Sequence, residues 1–262
     1  MSRKAVISAA VAPIHTEPSF SSEMSTQALM WESIIIQETD NNWQLIRMED
    51  GYEGWIHSFY LDYCDPVFEE FIMVIERAVP VFHNIDKKDS IVALLSFGTY
   101  LPKVRIIDSF CKICLPNGQD AYIEMQEQVP TKNRETIIKF AELLIGVPYI
   151  WGGKSSFGYD CSGFVQMVLK TAGIDVQRDA SQQIQTKDLA KINIDQGTCG
   201  DLLFFSEKNC INHVAFILGE GKIIHCSGQV KIESIIEGEP GFNKQLNQFD
   251  KTAMSISGII AS

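Results

Sequence analysis

Concentrated positive charge is missing from this 262-residue chain: 33 aspartates and glutamates outnumber 22 lysines and arginines, and no basic cluster forms. The formal net charge is -11 and the sequence pI about 4.9. Such a surface repels phosphate backbones and anionic headgroups, which argues against nucleic acid and membrane surfaces as partners. Long apolar runs are also missing, since nothing approaches the roughly 20 residues of a membrane-spanning helix. Cysteine is sparse and scattered, with seven residues at 64, 111, 114, 161, 199, 210 and 226. An odd count without regular spacing excludes a disulfide framework and fits a reducing compartment. Cys111 and Cys114 make a C-x-x-C without a second pair, which is half of a structural zinc site. They lie in Phe110–Leu115, a run that reads as a strand, and are expected to be packing or surface thiols. Disorder is excluded too, because 45% of residues are hydrophobic and 21% charged. Arg3 and Lys4 ahead of Ala5–Ala12 imitate a secretory leader, but Ser8 interrupts a run already short for one. The expected location is cytoplasmic, with periplasm or secretion as the alternative.

What is present begins with an internal repeat at an offset of about 67 residues. Val11-Ala12-Pro13-Ile14-His15 aligns with Val79-Pro80-Val81-Phe82-His83, and Trp43–Arg47 with Cys111–Leu115. Asp50-Gly51-Tyr52-Glu53-Gly54-Trp55-Ile56 aligns with Asn117-Gly118-Gln119-Asp120-Ala121-Tyr122-Ile123. Asp-Gly and Asn-Gly between β-rich runs are hairpin signals, so each copy is expected to be a small β-barrel. The copies differ at Glu32 and Tyr52, where the second has Gly98 and Gln119. Taken alone, Tyr52 reads as a barrel tyrosine beside a hairpin and Glu32 as a solvated charge.

After Val129-Pro130 the period becomes helical, with Ile137, Ile138, Ala141, Leu144 and Ile145 on one face, Thr131 or Asn133 as cap, and Gly146 and Pro148 as terminators. A Gly-rich loop leads to Gly158-Tyr159-Asp160-Cys161-Ser162-Gly163-Phe164-Val165. Phe164, Val165, Val168, Leu169 and Ala172 form an apolar stripe, closed by Gly173, that places Cys161 at a helix start. There the unpaired N–H groups and the helix dipole favour thiolate, the nucleophilic form. A cysteine taken alone is more often a buried small hydrophobe, but Asp160 and Ser162 are poor company for that role. Asp201–Ser206, His213–Leu218, Lys222–Cys226 and Ser255–Ala261 read as strands, which makes the chain α+β.

A cysteine nucleophile needs a base, and histidine suits that task near neutral pH. His15, His57 and His83 fall in the barrels, where surface or core roles are expected. His213 opens one strand and His225 ends the next; strands ending at one edge could present His213 to the thiol with His225 orienting it. The competing reading is a zinc held by Cys210, His213, His225 and Cys226. Cys210 and His213, at i and i+3 where a strand begins, would point to opposite faces.

Gly146-Val147-Pro148-Tyr149-Ile150-Trp151-Gly152-Gly153, Asp160–Phe164, Gly200-Asp201-Leu202-Leu203-Phe204-Phe205, His213-Val214-Ala215 and His225-Cys226-Ser227 together resemble the NlpC/P60 cysteine peptidases. The resemblance spans about residues 131–261. It implies a papain-like core that cleaves peptidoglycan stem peptides without a cofactor, with Cys161 as nucleophile, His213 as base and His225 as third polar residue. The repeats resemble bacterial SH3 domains, and the whole resembles the YkfC-type γ-D-glutamyl-L-diamino acid endopeptidases. The implied domains are 1–65, 66–129 and 130–262. The implied recognition of a free L-alanine amine uses Glu32 and Tyr52 of the first SH3 domain with Asp160 and Ser162. An ammonium taken out of water requires such partners. Trp151 belongs to the same expected substrate site, and Arg178 or Ser181 is a candidate for a substrate carboxylate. The implied ligand is a small peptide such as L-Ala-γ-D-Glu-diaminopimelate or its lysine counterpart. A wall-binding module with a secondary catalytic domain, and a papain-like acyltransferase or amidase, are the competing classes.

Overall fold

The computed structural model describes residues 3–63, 68–86, 90–125 and 130–261. Cys64 and the expected barrel boundary at 65/66 lie outside these residues, as does position 129 at the end of the second expected barrel. The chain divides into two compact units, Met1–Val129 and Pro130–Ser262.

In the first unit, β1 (Arg3–Ile7), β2 (Val11–His15), β3 (Met24–Leu29), β4 (Ser33–Asp40), β5 (Trp43–Met48), β6 (Glu53–His57) and β7 (Leu61–Asp62) form one sheet in the order β3-β2-β6-β5-β4-β1-β7. A second sheet contains β8 (Phe71–Met73), β9 (Ala78–Phe82), β10 (Ile91–Ser96), β11 (Tyr100–Ile107), β12 (Phe110–Cys114) and β13 (Asp120–Glu124), ordered β10-β9-β13-β12-β11-β8. The sequence repeat is therefore a repeat of topology, β3-β2-β6-β5-β4-β1 matching β10-β9-β13-β12-β11-β8 strand for strand. The matched hairpins close in the same way. Gly51 and Gly118 adopt φ of +84° and +81°, a region costly for residues with a Cβ. Asp50 Oδ1 accepts from the Tyr52 N–H and Asn117 Oδ1 from the Gln119 N–H, each at 3.0 Å. Tyr52 and Gln119 thus occupy equivalent turn positions.

Alternation along the strands gives each sheet its core. Ile7, Ile14, Ile34, Ile46 and Ile56 fill the first, and Val79, Val81, Leu95, Ile113 and Ile123 the second, where Cys111 is a packed hydrophobe. The second core also takes in Val6, Met30 and Trp31 of the first repeat. Trp31 Nε1 donates to the carbonyl of Cys114 at 2.8 Å, which satisfies the polar end of an otherwise buried indole.

The second unit runs α1 (Arg134–Leu143), a two-residue hairpin of β14 (Lys154–Ser155) and β15 (Gly158–Tyr159), α2 (Cys161–Thr171), α3 (Ala180–Gln183), β16 (Ala190–Ile192), β17 (Leu202–Glu207), β18 (Cys210–Gly219), β19 (Lys222–Ser227), β20 (Gln229–Ser234), α4 (Lys244–Asn247), β21 (Asp250–Ser255) and α5 (Ser257–Ala261). Its sheet has the antiparallel order β16-β21-β17-β18-β19-β20. Helix α2 packs on this sheet, with Phe164 edge-on to Phe216 at 5.8 Å. Leu203, Phe205, Ala215, Ile217, Ile223 and Ala253 form a separate apolar cluster on the sheet. Among the described residues no helix is long and apolar enough to cross a membrane.

Several elements depart from the sequence reading. The final strand is β21 at 250–255, and 257–261 is helical, because Asp201 Oδ1 takes the Ile256 N–H at 3.0 Å and ends the ladder there. The Ile256 carbonyl then accepts from Ile259 and Ile260. Ile145 is exposed, since α1 stops at Leu143 and the next residues leave the helical period; Phe140 packs with Ile137 and Ala141 instead. Strand β20 is an addition, a short edge strand in which apolar Val230 and Ile232 alternate with Lys231 and Glu233.

Asp201 is the polar anchor of this unit. Beyond Ile256 it accepts from the Thr198 N–H and hydroxyl, and it pairs with Arg134 of α1 at 2.7 Å. Burial works against its ionisation, but the Thr198 N–H, Arg134 and the Ile256 N–H outweigh it and hold its carboxyl below the ordinary range. A depressed pKa stabilises the fold above the unfolded value near about pH 4 and loses that contribution as pH falls through the folded one. Thermal unfolding of Asp201→Asn should therefore show a lower Tm at pH 7 and a smaller further fall between pH 5 and 3 than the parent protein.

Candidate active site

The loop before α2 is built from close backbone approaches. A Cβ on Gly153 would collide with the Gly158 carbonyl oxygen, and one on Gly163 with that of Gly153. Only glycine fits, and the loop is drawn tightly against the first turn of the helix. Asp160 caps that turn, its Oδ1 accepting from the Gly163 N–H at 2.6 Å. Cys161 is the first helical residue, as its apolar spacing predicts. The backbone N–H groups of Val214, on β18, and of Ser162, in its own turn, act on its sulfur.

Arg178 is 2% exposed and is committed to this turn. Its Nη1 donates to Asp160 Oδ1 at 3.0 Å and to Ser162 Oγ at 2.9 Å, and its Nη2 donates to Asp160 Oδ2 and the Gly153 carbonyl. Gln183 Nε2 donates to the Ser162 carbonyl at 2.9 Å from α3. The expectation that Arg178 binds a substrate carboxylate is corrected by this arrangement, in which a buried fork holds both residues flanking Cys161. Ser181 is exposed on α3, its carbonyl accepting from Gln185 Nε2. Trp151 is 64% exposed in the loop after Ile150. Glu32 and Tyr52 belong to the first unit. Glu32 Oε2 accepts from the Leu29 N–H at 3.1 Å, and Tyr52, half-buried, packs against the core of the first sheet.

The histidines meet, although His213 lies within β18 rather than at its start and His225 within β19 rather than at its end. His213 Nε2 and His225 Nδ1 are 2.7 Å apart, with rings edge to face. Glu233 on β20 extends the chain of polar groups, its Oε2 lying 2.8 Å from His225 Nε2. Sequence reasoning missed this residue, because its signal is weak: a lone glutamate in an edge strand too short to stand out. Cys226 points away from the histidine pair, donating to the Tyr159 carbonyl at 3.2 Å, and Cys210 is exposed. Among the described residues no group of three or more His, Cys, Asp and Glu side chains is arranged to hold a metal.

Burial dominates the electrostatics. It pushes the Cys161 thiol up to about 11, aided by the Asp160 carboxylate and opposed by the Val214 N–H, Arg178 and the Ser162 N–H. Desolvation and the neighbouring carboxylate thus work against the thiolate that a helix start favours. Burial, with His225 second, takes His213 down to about 3. The resting site holds a neutral thiol and a neutral imidazole. Tyr149, unanticipated as a neighbour of the thiol, is raised to about 12 by burial first and then by Cys161, so its phenol stays protonated beside the sulfur.

A thiol at a helix start, with a strand histidine backed by a second polar ring, is the arrangement of a papain-like cysteine hydrolase. Residues 146–249 match the NlpC/P60 family, and residues 14–59 match the bacterial dipeptidyl-peptidase SH3 domain. The chain thus carries an NlpC/P60 cysteine peptidase domain, with SH3-like β-rich structure ahead of it. It is 29% identical over 244 residues to a γ-D-glutamyl-L-lysine dipeptidyl-peptidase of Bacillus cereus, covering 84% of this chain and 72% of that one. It is 27% identical over 264 residues to dipeptidyl-peptidase 6 of Lysinibacillus sphaericus, covering 92% and 95%. The crystal structure of an NlpC/P60 family protein from Bacillus cereus superposes with a TM-score of 0.79 at 23% identity, covering 95% and 98% of the two chains, and shares the fold.

The buried ion pair and the raised thiol can each be tested. Arg178→Met leaves Asp160 buried without its partner and should cost about 3 to 5 kcal/mol of stability, measured by denaturant unfolding; a substrate-only role would leave stability unchanged. Since the thiol is raised, alkylation of Cys161 by iodoacetamide should climb steadily with pH through 7 to 10, without the neutral-pH plateau of a preformed thiolate.

Proposed function

We propose that the protein hydrolyses the γ-D-glutamyl–diamino acid bond of peptidoglycan stem peptides that carry a free N-terminal L-alanine. The observation that carries this reading is the Cys161 turn backed by the His213–His225 pair, 2.7 Å apart. The names of the relatives supply the bond. Cys161 Sγ attacks the γ-glutamyl carbonyl carbon as His213 Nδ1 takes the thiol proton, and the N–H groups at the start of α2 receive the oxyanion. His213 then gives that proton to the leaving amine of the diamino acid. Water, deprotonated by the same nitrogen, cleaves the thioester and restores the thiol.

Recognition of the alanine amine belongs to the same proposal, through Glu32, Tyr52, Asp160 and Ser162, with Trp151 beside the scissile region. The Arg178 pair bears on how that charge is met. Asp160 is already neutralised by Arg178, so the net negative charge matching an ammonium falls to Glu32. Peptides without a free amine, such as those still joined to glycan through lactyl groups, are then poor substrates, and the enzyme acts on released fragments rather than intact wall.

Mass spectrometry of digests of L-Ala-γ-D-Glu-L-Lys and its N-acetylated form tests the reading. The free peptide should give L-Ala-γ-D-Glu and lysine, Cys161→Ala should give no product, and Cys111→Ala should match the parent. Glu32→Gln should lower kcat/KM for the free peptide at least about tenfold, the weight of one desolvated charge-assisted contact. Equal kcat/KM for free and acetylated peptides would overturn the amine requirement, and turnover by Cys161→Ala would overturn the mechanism.

A further inference from the structure

We propose that Glu233 is a positioning residue for this reaction, holding His225 and His213 in the tautomers that leave the lone pair of His213 on Nδ1. The inference rests on the proposed thiol–imidazole mechanism and adds to the cysteine and two histidines a residue that sets the direction of their proton chain.

Donor and acceptor roles decide the tautomers. An ionised carboxylate can only accept. Glu233 Oε2 lies 2.8 Å from His225 Nε2 and Oε1 lies 2.9 Å from Lys231 Nζ. Asn243 Nδ2 also donates to Oε2, at 2.6 Å. The orientation of that amide is set independently, because Asn243 Oδ1 caps α4 by accepting from the Leu246 N–H at 2.9 Å. Burial works against the charge on Glu233, but Asn243, Lys231 and His225 outweigh it and keep its carboxyl below the ordinary glutamate range. His225 must then carry its proton on Nε2.

His225 is fully buried, and burial lowers its pKa, so it remains neutral. A neutral imidazole with its proton on Nε2 has its lone pair on Nδ1. The 2.7 Å contact there is therefore donated by His213 Nε2–H, and the lone pair of His213 is left on Nδ1. The opposite polarity would set the Nε2 lone pair of His225 against a carboxylate oxygen at hydrogen-bonding distance, a repulsive contact. Backbone geometry supports the relay: His225 and Lys231 are register partners on β19 and β20, and Ile223 opposes Glu233 one pleat repeat away. The network is thus built on two adjacent strands and on a helix cap. Glu233 touches no reacting atom in this scheme and acts through His225.

The test uses full-length protein labelled with 15N-histidine. Two-bond proton–nitrogen correlation spectra of the resting enzyme should report both His213 and His225 as Nε2–H tautomers. Glu233→Gln, whose amide oxygen can still accept from His225, should keep those tautomers and lose less than about tenfold in kcat. Glu233→Leu, which removes the acceptor, should shift His213 toward the Nδ1–H tautomer and lower kcat about 10- to 100-fold with KM changed less than about twofold. A resting His213 protonated on Nδ1 would overturn the inference, as would Glu233→Leu with parental tautomers or with kcat within about twofold of the parent. Should Glu233→Leu not fold, the parental spectrum and Glu233→Gln decide alone. The tautomer measurement needs no substrate, so an error in the proposed peptide or nucleophile shows in the digests and leaves these spectra unaffected.

Discussion

A guanidinium sealed from water is the feature on which the catalytic unit most depends. Arg178 lies beneath the first turn of α2 and reaches Asp160, Ser162 and the Gly153 carbonyl together. A buried ion pair is no guarantee of net stability, since desolvation consumes much of its attraction, but breaking one leaves an uncompensated charge. Here the pair defines a shape. Asp160 is held so that it caps the helix, the Gly-rich loop is drawn in where only glycine fits, and Cys161 is left at a defined point on the helix end. The position of the thiol is thereby fixed by neighbouring groups.

Cys161 and His213 are uncharged at rest. Burial raises the thiol and lowers the imidazole, so both deviate from their solution values in the direction of neutrality. A site of this kind avoids holding an exposed thiolate that oxidants could reach, and generates charge only as bond formation proceeds. Behind His213 the polar chain continues from strand to strand, through His225 on β19 to Glu233 on β20.

Much of this is legible in the sequence, for reasons that differ by element. The barrels can be read because their turns need positive φ and their strands alternate, as at Gly51 and Gly118. Cys161 can be placed because the apolar stripe from Phe164 to Ala172 has a helical period and a cysteine at its head. His213 and His225 can be paired because they lie on successive strands that form an antiparallel pair. Arg178 is misassigned because a charged side chain carries no mark in sequence that it will be buried, and its partners are 16 and 18 residues away. Glu233 escapes notice for a related reason, lying on an edge strand whose alternation is too short to stand out. The last strand is misplaced by a few residues because its end is decided by a carboxylate 55 positions earlier, Asp201, rather than by any local breaker.

The shared core of the two repeats bears on the placement of Glu32 as well as on stability. Trp31 is buried among residues of the second barrel and hydrogen-bonded to its Cys114 carbonyl, while Glu32, the next residue, stands at the tight corner between β3 and β4. The two occupy consecutive positions on one rigid bend, so the place of Glu32 is inherited from how Trp31 is seated. The expected match of Glu32 with Gly98 is corrected by the structure: Gly98 shares its positive φ with Trp31, and the N–H groups of Glu32 and Thr99 close equivalently on the carbonyls of Leu29 and Ser96, so the second barrel has Thr99 and Gln119 where the first has Glu32 and Tyr52. That second barrel seats Trp31 of its twin, so a change in its interior would be felt one residue away, at Glu32.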